Sequence, residues 1–142
     1  MFDAIFSGSS IVSFKLPNSI LSIGYNALGP SSINMAELIV PSSVTAISQP
    51  RQYGYIGYVT INAPCNLGWG YCYGRSIKGN SAATFKILYT GGVIPLTTSA
   101  SIKGYNKNHY YYVPDALLED YRAAAQYSEF QSHVLPLSQF PT

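Results

Sequence analysis

Short runs of alternating apolar and polar residues, closed by proline, pattern the first half of this chain. Phe14 and Leu16 alternate with Ser13 and Lys15 and are followed by Pro17; Leu38 and Val40 flank Ile39 and are followed by Pro41. A period of two is that of a strand with one buried face. Proline ends such a run because it has no N–H to give the next ladder bond. Asn18-Ser19 and Ser42-Ser43 then supply turn chemistry. Ile20 and Ile23 in one segment, Val44 and Ile47 in the other, point back into the same core.

The two segments superimpose position by position at one constant offset: Phe14 on Leu38, Leu16 on Val40, Pro17 on Pro41, Ser19 on Ser43, Ile20 on Val44, Ile23 on Ile47. A degenerate third copy runs through Val59, Ile61, Ala63 and Pro64. A fourth runs from Phe85-Lys86-Ile87-Leu88 to Ile94-Pro95. One strand with one return loop cannot bury its own apolar face, whereas stacked copies can, in a parallel sheet along one side of a coil. The period changes after Tyr110-Tyr111-Tyr112, the expected last strand, aromatic on both faces. Val113-Pro114-Asp115 predicts a strand end, proline at the first helical position and an acid in the first turn. Leu117, Leu118, Tyr121, Ala124 and Ala125 share one helical face, with Glu119, Asp120 and Arg122 off it. Laid over the last coil, that helix would hide an open strand edge.

These residues carry a resemblance. Leu16 to Leu28 (LPNSILSIGYNAL) and Val40 to Ile47 (VPSSVTAI) resemble the BspA-type leucine-rich repeat of Bacteroides-type surface proteins. The tail, with Tyr112-Val113-Pro114-Asp115, Tyr121, Tyr127, Phe130 and Leu135-Pro136-Leu137-Ser138, is similar to the closing segment of that family. Tyr127 stands where the family usually has tryptophan, and the middle, Gln49 to Ala83, departs from the repeat. The expected fold is mostly β: a short leucine-rich-repeat-like solenoid over 1–112, irregular between about 49 and 83, with a parallel sheet on one side. An α-helical C-terminal cap over 113–142 would close it. The resemblance implies secretion and contact with host protein, matrix or glycan.

Composition adds to this picture. Charged residues are 10% of the 142, against about 25% in ordinary domains. Aromatics reach 14%, thirteen of them tyrosine. Serine, threonine, asparagine, glycine and tyrosine must cover the outside, a surface that desolvates cheaply against sugars or proteins. A net charge of +2 is too small for a nucleic-acid partner. No acid lies between Leu38 and Pro114, where Arg51, Arg75, Lys78, Lys86, Lys103 and Lys107 fall; six scattered cations read as solubilising. No run approaches the length of a membrane span.

Candidate chemistry is sparse. His109 and His133 are the only histidines and have no acid at a suggestive spacing. The dispersed glycines form no phosphate loop, and no metal-ligand spacing or cofactor motif is present. The expectation is therefore a non-enzyme without metal or cofactor. Cys65 and Cys72 form neither a redox nor a zinc pair; a loop disulfide and two small buried hydrophobes are both open. The candidate binding residues are Tyr53, Tyr55 and Tyr58, then Trp69, Tyr71 and Tyr73. Tyrosine and tryptophan spaced by glycine make adaptable contact surfaces, while the same rings could instead replace leucine in the core.

Two functions remain. One is a surface-displayed binding or adhesion module that recognises protein or glycan. The other is a structural or receptor-binding part of a phage of gut Bacteroides-type bacteria, at a fibre, tail tip or head surface. The N-terminus MFDAIFSGSS does not read as a signal peptide and Phe2, Ile5 and Phe6 read as a repeat under way. With Met1 as native start, this favours the virion, and a trimer or a docked assembly would cover that end.

Overall fold

The computed structural model describes residues 10–24, 32–47, 53–66, 84–96 and 109–141, with the backbone alone at 10, 11, 32–34 and 53–55. It is mostly β, with parallel sheets and a short helical region towards the C-terminus. The strands are β1 (Ser10–Ile11), β2 (Ser22–Ile23), β3 (Ser32–Val40), β4 (Ala46–Ile47), β5 (Tyr53–Ile61), β6 (Thr84–Ile87), β7 (Tyr110–Val113) and β8 (Val134–Pro136). Six of them form one sheet in the order β1-β3-β5-β6-β7-β8, every neighbouring pair parallel. Strand order thus follows chain order. The chain length between facing residues of neighbouring strands is unequal: Ser32 faces Tyr53, Val59 faces Phe85, Phe85 faces Tyr111. Parallel neighbours need a long connection of this kind. The connections from β1 to β3 and from β3 to β5 carry β2 and β4, which pair with each other in a second parallel ladder, extended by a bridge from Ala46 to Asn66.

The alignment of the first two segments holds on the return side. Ile20 N–H donates to the Pro17 carbonyl and Val44 N–H to the Pro41 carbonyl, each at 3.1 Å, so both prolines open the same turn. Ser22 faces Ala46 and Ile23 faces Ile47. On the sheet side the expectation needs correcting. Phe14 and Leu16 are half-buried against the core, but only Ser10 and Ile11 join the ladder, paired with Ser32 and Ile33. The segment from 11 to 17 covers with fewer residues what 33 to 41 covers, and it cannot follow its neighbour bond for bond.

That neighbour turns a corner. In β3 the buried residues are Met35, Leu38 and Val40, and in β5 they are Ile56, Val59 and Ile61, with Thr60 buried between the last two. The step of three breaks the period of two at Ala36 and Gly57, and the two corners lie side by side. A Cβ on Gly57 would stand 2.4 Å from the Ala36 carbonyl oxygen. Only glycine lets the strands approach so closely there.

Beyond the corner, inward side chains stack strand on strand: Leu38, Val59, Phe85, Tyr111 and Val134 make one row of register partners, all buried. Val40, Ile61 and Ile87 make the next. From the return side Ile23, Val44, Ile47, Cys65, Ile94 and Leu96 close on the same core. Each large apolar side chain of these rows contributes about 1.5–3 kcal/mol by leaving water.

The helix expected over Leu117 to Ala125 is shorter. A 3-10 turn, Asp115–Leu117, leads into α1 (Leu118–Ala123), and the chain is extended again at Ala124 (φ −67°, ψ 132°). Tyr121 is buried and Ala125 exposed. The cause is Tyr127. Six residues further along a helix lies about 240° around its axis, which would turn Tyr127 away from the face of Tyr121. Breaking the helix returns Tyr127 and Phe130 to the core. The Tyr121 hydroxyl accepts from Ile94 N–H at 3.0 Å and the Tyr127 hydroxyl donates to the Ile94 carbonyl at 2.7 Å. A second 3-10 stretch, Ser128–His133, then delivers β8, so Tyr110–Val113 is not the last strand as expected: β8 pairs along its free edge.

Candidate functional site

The outward face of the six-stranded sheet carries the chemistry. In one row Ile39, Thr60, Lys86, Tyr112 and Leu135 are register partners across β3, β5, β6, β7 and β8. In the next, Glu37 faces Tyr58 and Thr84 faces Tyr110. Alternation places them there, because each neighbours an inward residue of the core rows. Lys86 lies between Phe85 and Ile87, both buried, and Tyr110 and Tyr112 flank the buried Tyr111.

The geometry of this face is aromatic and polar together. Phe140, just past a 3-10 turn at Leu137–Gln139, meets Tyr58 edge-on at 5.0 Å and 71°, and Tyr112 at 5.1 Å and 84°. Lys86 Nζ stands 4.9 Å from the Phe140 centroid and 5.9 Å from that of Tyr58. Edge-to-face rings and an ammonium over a ring face are both favoured by the ring quadrupole. Further along, Tyr110, 42% exposed, stacks on His133 at 4.6 Å and 21°. The buried Thr60 hydroxyl donates to Glu37 Oε1, which fixes the carboxylate at the side of the row.

Of the sequence candidates, Tyr58 lies in this cluster, half-buried. Tyr53 and Tyr55 are in β5, their backbones paired with Ser32 and Asn34. Their side chains, and Trp69, Tyr71 and Tyr73, lie outside the described residues, as does Cys72. Sequence reasoning missed Lys86, Tyr112 and Phe140 as one group. Alternation within FKI and YYYV was signal enough for the first two. Nothing in the sequence places Phe140 on them.

The histidines serve packing. His109 is buried immediately before β7, tilted against Phe85 and Tyr111 at 5.7 and 6.3 Å. Cys65 is a free, buried thiol, and burial pushes it up to about 11 from 9.0, far from the thiolate a nucleophile needs. A shallow open depression beside α1 is lined by Glu119, Arg122, Ala123, Gln131 and Ser132. Arg122 there donates to the Val134 carbonyl through two nitrogens, at 3.2 and 3.0 Å, and to Glu119 at 3.2 Å. Gln131 donates to the Arg122 carbonyl at 2.9 Å. These groups tie the C-terminal turns together.

Among the described residues no group of three or more His, Cys, Asp or Glu side chains could hold a metal ion. No described helix is long and apolar enough to cross a membrane. Comparison with known proteins finds no matching family model, no matching curated protein and no matching solved structure.

Proposed function

We propose that this chain is a non-enzymatic binding module displayed on a cell surface, recognising protein or glycan through the outward face of its parallel sheet. In this reading the stacked strands and returns are coils of a short leucine-rich-repeat-like solenoid of BspA type, and the turns and helix after Val113 are its cap. The strand order, the parallel register and the twin proline turns support the solenoid. The observation that carries the function is the group of Tyr58, Lys86, Tyr112 and Tyr110, in two adjoining rows on the outward side of a sheet whose other side is sealed by core. Rings and one cation, with little competing charge, suit a partner's sugar faces or side chains.

The test is to probe the chain on glycan and matrix-protein arrays beside Tyr110→Ala and Tyr58→Ala variants. A ligand bound by the parent chain and weakened at least tenfold in either variant, about 1.4 kcal/mol, with unchanged melting, is the expected result. No ligand, or equal binding by all three chains, would sink the reading. A second reading, a component of a phage particle, draws on Val12 and Leu21, which are 72% and 64% exposed on the first described coil. Light scattering distinguishes the two: a stable trimer favours the particle component, a monomer the detached module.

A further inference from the structure

The cluster around Phe140 has two parts of different origin. Tyr58, Lys86 and Tyr112 come from three adjacent strands, β5, β6 and β7. Lys86 and Tyr112 are register partners, and Tyr58 precedes the Val59 that pairs with Phe85. The sheet therefore holds these three walls in place by itself. Phe140 is brought in from outside. Its 3-10 turn is closed by Phe140 N–H to the Leu137 carbonyl at 3.0 Å and is pinned by Ser138 N–H to Asp115 Oδ1 at 3.0 Å, an exposed bond. The Ser138 side chain, with the backbone N–H groups of Ser138 and Leu137, holds the carboxylate below its ordinary 3.8, as hydrogen bonds to an ionised group do. Among the described residues, no buried hydrogen bond fastens 137–141 to the sheet.

We propose that Tyr58, Lys86 and Tyr112 form a receptor site for an aromatic side chain on an extended, uncharged polypeptide segment, and that Phe140 is its resident, displaceable occupant. The inference rests on the binding-face reading above and names the ligand class for one part of that face. The geometry selects a ring. Tyr58 and Tyr112 meet it at 71° and 84°, and Lys86 faces its π-cloud. A saturated sugar has no π-face to offer that ammonium, so the site takes an aromatic peptide in preference to a glycan. The resident sequence Gln139-Phe140-Pro141 describes what fits: a ring between an uncharged neighbour and a proline, which holds the chain extended.

The experiment opens the site and offers the ligand in trans. A Phe140→Ala chain is titrated by calorimetry with the peptide Leu-Pro-Leu-Ser-Gln-Phe-Pro-Thr, and the same peptide with alanine for its phenylalanine is the control. Saturable one-to-one binding is expected, at least about tenfold tighter than to the parent chain, whose site is filled. It should weaken about tenfold again when Lys86→Met is added. Equal binding to parent and variant, or to the alanine peptide, overturns the proposal, as does absence of binding to a Phe140→Ala chain that melts like the parent. Should that variant not fold, the parent chain carrying 4-fluorophenylalanine at 140 answers the question. Excess peptide shifts the fluorine resonance to its solvent-exposed position if the occupant is displaceable. An unmoved resonance, or one moved only by oligosaccharide, overturns it. The binding-face reading stands or falls separately, on the array ligand and its loss in Tyr110→Ala, since Tyr110 lies outside this site.

Discussion

Three buried tyrosines do three different things. Tyr121 and Tyr127 place their hydroxyls on the two backbone groups of Ile94, and Tyr121 also donates to the Gly92 carbonyl at 3.3 Å. Gly92 itself sits at φ +144°, a conformation open to glycine. Tyr111 is equally buried, stacked on Phe85 at 5.3 Å and 8° and on Phe130 at 5.8 Å, yet among the described residues its hydroxyl has no hydrogen-bond partner. Phenylalanine should therefore act in opposite directions. Tyr121→Phe leaves the Ile94 N–H unsatisfied in the core and costs about 1–3 kcal/mol, whereas Tyr111→Phe removes an unpaired polar group and is neutral or stabilising. Urea denaturation of the two variants checks this; equal losses would mean that the hydroxyls are not distinguished as described.

Strands β3 and β5 share a corner at Ala36 and Gly57. Alternation alone predicts straight strands with Tyr53 and Tyr55 on one face; the step of three between buried residues is invisible to a period-two reading. Gly57 looks from sequence like one more spacer among aromatics. In the fold its missing Cβ is what admits the Ala36 carbonyl. Gly57→Ala must push two paired backbones apart along a ladder that neighbours depend on. A loss of about 2 kcal/mol or more is expected, well above the change in intrinsic propensity of roughly 1 kcal/mol or less. A melting curve for Gly57→Ala matching the parent would show that the corner yields. Similarly, α1 is shorter than its alanine-rich sequence invites, because burial of Tyr127 and Phe130 outweighs the propensity of three alanines to continue.

For the whole molecule, the aromatic core sets an alkaline limit. Burial pushes Tyr121 up to about 12 from 10.0 and holds Tyr111 and Tyr127 well above their ordinary value; Cys65 moves in the same direction. Below pH 9 these groups keep their protons in both folded and unfolded chains, and stability is full. As pH rises past 9 and 10 the unfolded chain ionises first. The folded state then binds more protons, and stability falls by at most about 1.4 kcal/mol per pH unit for each buried ring. Tyrosine ionisation is followed at 295 nm. Tyr111, Tyr121 and Tyr127, the three buried among the described residues, should ionise together, in step with loss of circular dichroism. Smooth titration of all thirteen tyrosines with the dichroism unchanged would contradict this core.

What the chain's own pattern determined is local and periodic: the strands ended by Pro41 and Pro114, twin turns at Pro17 and Pro41, an aromatic strand at Tyr110-Tyr111-Tyr112, and a helical turn after Pro114. These rest on periods of two and 3.6 and on proline's missing N–H, which act within a few residues. The tertiary structure decided the rest. Register steps that change from one strand pair to the next, the corner at Gly57, the end of α1 at Ala123 and the meeting of Phe140 with Tyr58, Lys86 and Tyr112 all join residues far apart in the chain. Each depends on which backbone or ring stands opposite, and only stacking of strand on strand brings that neighbour into place.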